Sequence, residues 1–231
     1  MLPLKDNVPT RAFPIVTVGL IVANFAVWFW ELAGTPWQED VVRDGFYPCS
    51  IPAHHCLVGL PHHLTWYESA FTSMFLHAGW EHILGNMLFL WIFGNNVEDA
   101  LGRVRFLVWY VVAGLAATAT QTVVTLAAAS QSGANVPNVG ASGAIAGVLG
   151  AYFVLLPRAS VLTWVLFFLI EIPAFWFLGL WFLFQLVSTN FAFSQPESGG
   201  GVAFFAHIGG FVFGALTVRL VQQRRPLRPA Y

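Results

Sequence analysis

Residues 140–156 read GASGAIAGVLGAYFVLL and run into Pro157 and Arg158. No charge interrupts the stretch. As a helix rising 1.5 Å per residue it reaches roughly 25 Å, close to the ~30 Å hydrocarbon core of a bilayer. It reads as a membrane span, and the composition agrees. The chain has 231 residues, 57% hydrophobic and only 9% charged, with a formal net charge of −1. An ordinary soluble domain is about 25% charged, and a soluble surface cannot be built from a third of that. The 22 Phe and 10 Trp suit a bilayer and its interfaces. This composition excludes a soluble globule, a disordered chain and a nucleic-acid binder, which needs a basic stripe. Two cysteines are too few for a disulfide scaffold.

Outward from this run, the sequence predicts further spans at 13–32, 80–97, 106–129, 173–191 and 201–221. The first has Lys5, Asp6 and Arg11 before it and no small-residue cleavage site directly after it, so it reads as a retained span rather than a signal peptide. The almost wholly apolar stretch 159–193 is too long for one crossing and too short for two. Glu171 and Pro173 divide it: an acid is costly at mid-bilayer, and proline starts helices readily. The fifth span therefore begins at Pro173, with residues 159–172 near the interface. The expected fold is an all-α membrane protein, one domain over residues 1–231 with six spans, both termini cytoplasmic and a long first outer loop at 33–79. With that orientation nine of the ten Lys and Arg lie inside, Arg43 being the exception, as the positive-inside rule requires. A bacterial plasma membrane is the simplest location for such a multi-pass chain.

Polar side chains inside spans need a reason. His82 and Asn86 open the second span at i and i+4, on one helical face. Ser142 opens the fourth, and His207 opens the sixth within Ala206-His207-Ile208-Gly209-Gly210. Each has an ordinary explanation: small residues around Ser142 ease helix packing, and buried histidines or Asn86 hydrogen-bond between helices. Topology adds a separate argument. The second, fourth and sixth spans run in the same direction, so all four side chains share the outer third of the bilayer, as a site assembled from three helices would. Ser142, Ala146 and Gly150 form a small-residue stripe, and Gly210 and Gly214 follow His207 at i+3 and i+7. Facing stripes would bring hydroxyl and imidazole together.

A hydroxyl at a helix N-terminus with an imidazole base and nearby donors fits hydrolysis by nucleophilic attack. The only lysine, Lys5, is on the inner side, and Asp6, Asp40, Asp44 and Asp99 lie outside the span interiors. That excludes a serine–lysine pair and an intramembrane aspartyl pair. No His-Glu-x-x-His occurs, which disfavours a zinc protease. A Ser142–His207 dyad remains, with no cofactor and no metal expected.

Taken in order, Phe75-Leu76-His77-Ala78-Gly79-Trp80-Glu81-His82-Ile83-Leu84-Gly85-Asn86, then Gly140-Ala141-Ser142-Gly143, then Ala206-His207-Ile208-Gly209-Gly210, this chain resembles the rhomboid intramembrane serine proteases. The resemblance extends from Phe13 to about Val221, and Glu98 with Leu101-Gly102 looks like the family's inner end of the second span. It implies a six-helix bundle in which Ser142 is the nucleophile and His207 the general base, with His82, Asn86 and the Ser142 backbone N–H around the oxyanion. His77 matches a histidine that packs the loop. The implied substrates are single-span membrane proteins cut near the outer face; membrane lipids are partners and nucleic acid is not. Trp66 is followed by Tyr67, where many members carry Trp-Arg. A rhomboid-like protein that binds membrane helices for sorting or quality control without cutting them is the alternative. A small transporter fits less well, since its polar groups would gather near the midplane.

In the outer loop Cys49 and Cys56 bracket Ser-Ile-Pro-Ala-His-His, on the side where oxidation is allowed. A disulfide is expected there; a metal site from His54, His55, His62 and His63 is the less favoured reading. The second span is short, and its recessed outer end would admit water. The aromatic stretch 64–76 is expected to lie flat in the outer leaflet.

Overall fold

The computed structural model describes residues 1–34, 37–51, 56, 64–127, 131–194 and 203–229. The chain is mostly helical. In order it runs β1 (Leu2–Asp6), α1 (Ile15–Ala33), α2 (Trp37–Asp44), α3 (Trp66–Thr72), α4 (Trp80–Phe89), a π-helical turn (Leu90–Gly94), α5 (Asn95–Leu101), α6 (Arg103–Ala127), the short α7 (Gln131–Ala134), α8 (Ser142–Leu155), β2 (Ser160–Val165), β3 (Phe168–Pro173), α9 (Ala174–Ser194) and α10 (Phe204–Val221). By length and composition α1, α6 and α10 are able to cross a membrane; the apolar helices Ser142–Leu155 and Ala174–Thr189 are shorter. Their outward faces carry Val22, Trp30, Val108, Trp176, Phe184 and Leu220, all largely exposed. Water would penalise so much contiguous apolar surface, whereas lipid does not.

The all-α expectation is corrected at one place. Residues 159–173 form a hairpin, and β1 adds to it in a three-stranded antiparallel sheet of order β1-β2-β3. Val161 pairs with Ile172 and Trp164 with Leu169. Val161 and Thr163 are buried, while Trp164 and Leu169 on the opposite face are exposed, the two-residue period of a strand. That period is hidden in the sequence because the exposed face is apolar too, so apolar and polar residues never alternate.

Asp6 at the end of β1 ties this sheet to the helices. Its Oδ2 accepts the Tyr152 hydroxyl at 2.6 Å and the Asn96 amide at 2.7 Å. Burial pushes the Asp6 carboxyl up to about 6, since a low-dielectric setting disfavours its charged form.

The second expected span, 80–97, continues through the π-helical turn to Leu101. Glu98, expected to mark its end, is buried. Its carboxylate accepts the backbone N–H of Val16 at 3.1 Å, that of Thr17 at 2.8 Å and the Thr17 hydroxyl at 2.8 Å. It thereby satisfies the free N–H groups that open α1.

Cys49 and Cys56 are bonded. Phe46 bridges Asn138, fastening the outer loop to the segment before α8. His54, His55, His62 and His63 lie outside the described residues. Within 64–76, α3 starts with a capping box between Thr65 and Glu68. It leaves Trp66, Tyr67 and Phe71 exposed while burying Ser69 and Ala70.

The closest helix pair is α8 against α10. A Cβ at Gly210 would overlap the Gly143 carbonyl, one at Gly214 the Gly147 carbonyl, and one at Gly150 the Phe211 carbonyl. The contact stripe on α8 is thus Gly143–Gly147–Gly150, one residue round the helix from the expected Ser142–Ala146–Gly150. That rotation leaves Ser142 beside the contact rather than under it.

Candidate active site

Ser142 is the first residue of α8, and His207 lies in the first turn of α10. The glycine contact just described sets the two helices so close that Ser142 Oγ and His207 Nε2 are 2.8 Å apart. The other ring nitrogen, Nδ1, is 2.8 Å from Gln185 Oε1 on α9. The amide oxygen of Gln185 only accepts, so Nδ1 carries the proton and Nε2 is free to accept from the serine hydroxyl. Trp181, one turn before Gln185, has its ring centroid 5.9 Å from the imidazole. Gln121 Oε1 on α6 accepts the Ala206 N–H at 3.2 Å, securing the start of α10.

The turn into Ser142 depends on Gly140. Its φ is +112, and a Cβ there would lie 2.7 Å from His82 Nε2, so a larger residue is barred twice over. The Gly140 N–H donates to the Ser73 carbonyl at 2.8 Å. His82 Nδ1 accepts the Ala78 N–H at 3.3 Å, which leaves Nε2 as the N–H donor facing this turn. Asn86 Nδ2 donates to His77 Nε2 at 3.1 Å. His77 Nδ1 in turn donates to the Phe75 carbonyl at 3.1 Å. Burial pulls the His77 imidazole down to about 3, so it stays neutral and can accept from Asn86. His77 therefore does more than pack the loop; it aims the Asn86 amide.

The structure thus brings Ser142 and His207 into direct contact and places His82 and Asn86 against the turn that leads into Ser142. Gln185 is the site residue that the sequence did not reveal, because an uncharged amide within an apolar run is a weak signal. A cavity of about 30 Å³ sits behind the serine, lined among others by Ser73, Gln121, Asn138, Ser142 and Ala206. That is room for a water molecule.

A Rhomboid domain model matches residues 64–224, which takes in every residue of this site. The chain belongs to the rhomboid family. It is 32% identical over 145 residues to "Rhomboid protein 1, mitochondrial" of Saccharomyces cerevisiae, covering 62% of this chain and 39% of that protein. To "Presenilin-associated rhomboid-like protein, mitochondrial" of Bos taurus it is 31% identical over 200 residues, 85% of this chain and 46% of that one. With "Rhomboid-like protein 11, chloroplastic" of Arabidopsis thaliana it shares 35% identity over 83 residues, 36% of this chain and 27% of that one. The chain spans less than half the length of each of these relatives.

The mitochondrial and chloroplastic names of these relatives overturn the expected bacterial plasma membrane. Span hydropathy and the positive-inside bias report orientation, and nothing in them names the compartment.

Proposed function

We propose that this rhomboid is an intramembrane serine endopeptidase. Ser142 Oγ attacks the scissile carbonyl carbon while its proton passes to His207 Nε2. The C–N bond then breaks, and His207 returns the proton to the leaving amine. Water repeats the sequence on the acyl-enzyme, releasing Ser142. The observation that carries the reading is the 2.8 Å contact between Ser142 Oγ and His207 Nε2. In the same reading His82 Nε2–H, the second Asn86 amide hydrogen and the Ser142 N–H meet the oxyanion. Residues 1–231 act as one domain with six spans, the α4–α5 rod, α8 and α9 crossing together with α1, α6 and α10. Both termini lie on the arginine-rich side of the bilayer and the site on the other. The substrates are single-span membrane proteins. A helix must unwind before its carbonyl reaches Ser142, so segments weak in helix propensity are preferred.

A fluorophosphonate probe tests the nucleophile. The purified chain in detergent should take up the probe at one serine, and Ser142→Ala should take up none. Equal labelling of Ser142→Ala would remove Ser142 from the reaction. A wild-type chain that neither labels nor cuts reconstituted single-span substrates would be the helix-binding, non-cutting protein instead.

Gln185 is a positioning residue in this scheme. Gln185→Leu frees the imidazole to adopt the wrong tautomer and is expected to lower kcat about 10-fold, the scale of one buried hydrogen bond, with KM unchanged. Gln185→Glu keeps an oxygen opposite Nδ1 and should restore most of that loss. A rise in KM with kcat intact would show that Gln185 serves substrate binding and not the imidazole.

A further inference from the structure

At the end of the bundle away from Ser142 lies a cavity of about 580 Å³. Three stretches of chain converge on it: the lead into α1, the α5–α6 junction and the residues just after α10. Its lining includes Arg103, Arg105 and Arg224, together with Glu98 and Asp99. The two carboxylates are already engaged. Glu98 caps α1. Asp99 is paired at 2.5 Å with Arg11 and also accepts the Arg11 backbone N–H at 3.2 Å. The three arginines of the lining have no carboxylate within ion-pair distance among the described residues. Arg103 and Arg105 make only long contacts to carbonyl oxygens, at 3.5 Å to Phe13 and 3.4 Å to Val221. Three arginines around one concave space, with Asp99 paired to Arg11 and Glu98 turned to the first N–H groups of α1, make a seat for a phosphate group.

The rim decides which phosphate. Phe13 and Val104 also line the cavity; they are 63% and 77% exposed, and Leu107 and Val108 continue the apolar surface along α6. A free anion has no use for that surface, while two acyl chains do. We infer that this cavity holds the headgroup of an anionic phospholipid, with Arg103, Arg105 and Arg224 on its phosphate and the acyl chains along Phe13, Val104 and α6. Basic residues at the membrane surface attract anionic lipid in this way. The inference requires membrane embedding and does not depend on the serine chemistry.

The test is lipid binding by the full chain in a neutral detergent, followed by native mass spectrometry. The probes are dihexanoyl phosphatidylglycerol, dihexanoyl phosphatidylcholine and inorganic phosphate. Phosphatidylglycerol should bind about tenfold tighter than phosphatidylcholine, and phosphate should not compete at matched concentration. Replacing Arg103 and Arg224 together by Gln should weaken phosphatidylglycerol roughly 30-fold, at about fivefold per arginine. Arg158→Gln, a basic residue outside the lining, should leave it unchanged. Val104→Asp removes no hydrogen-bonding group and should weaken it as well, which guards against a folding defect in the arginine variant. Equal affinity for the two lipids, or wild-type affinity in Val104→Asp and the double variant, would overturn the site. Competition by phosphate at the same concentration would reassign it to a free anion.

Discussion

His207→Ala should cut reconstituted single-span substrates at least about 10⁴-fold more slowly than wild type, a loss of the size seen when one member of a serine–base unit is removed. The size follows from the surroundings of Ser142. Its hydroxyl meets the imidazole at 2.8 Å, and the other polar side chains lining the cavity behind it are Ser73, Thr118, Gln121 and Asn138, none of which is a base near neutral pH. His82 is no substitute, because its Nδ1 is already occupied by the Ala78 N–H and its Nε2 carries the proton. Without His207, what remains is the donor set near Gly140 and substrate binding. Ser142→Ala should lose a similar amount, and the double variant should be no slower than either single one, since hydroxyl and imidazole act as one unit. Initial rates in proteoliposomes for the three variants give the comparison. Multiplying losses in the double variant, or only a tenfold loss in His207→Ala, would mean that another group activates the serine.

The parts of the site that were legible in the sequence are those where a polar residue stands in a largely apolar stretch within three positions of a glycine. Ser142 and His207 stand out for that reason, and so do His82 and Asn86. Gln185 satisfies the first condition but not the second. It sits between Phe184 and Leu186 in an apolar helix with no glycine next to it, and an amide is a weaker signal than a charge. Its partner atom emerges only once α9 is packed against α10. Glu98 was legible as the end of a span but not as the cap of α1, because the two lie far apart in sequence and meet through tertiary packing. The β2–β3 hairpin was the largest miss in the fold. Leu166 and Phe167 at its tip are 79% and 92% exposed, and in a soluble protein those positions would be polar and would have marked a turn. Next to lipid, composition no longer distinguishes inside from outside, so the two-residue period disappears.

The glycine contact that aligns the dyad should also be the most sensitive point in the fold. At Gly214 a new Cβ meets the carbonyl oxygen, carbonyl carbon and Cα of Gly147. These are backbone atoms of a helix and have no rotamer to move into, so α8 and α10 must separate. Overpacking of this kind costs about 1–3 kcal/mol or more even where side chains can adjust. Gly214→Ala should therefore lower the thermal midpoint by roughly 10 °C, on the scale of a few degrees per kcal/mol for a chain this size. Gly214→Val should give little folded protein. Activity should fall faster than stability, because His207 sits two turns along α10 and a separation of ~1 Å breaks its alignment with Ser142. Gly19 on α1 provides the contrast. A Cβ there meets nothing within 4 Å, and alanine in a helix is favoured over glycine by about 1 kcal/mol, so Gly19→Ala should be neutral or slightly stabilising. Melting curves and cleavage rates for both alanine variants separate the two positions. If Gly214→Ala melts and cuts like wild type, then close backbone approach between α8 and α10 is not what holds the serine to its base.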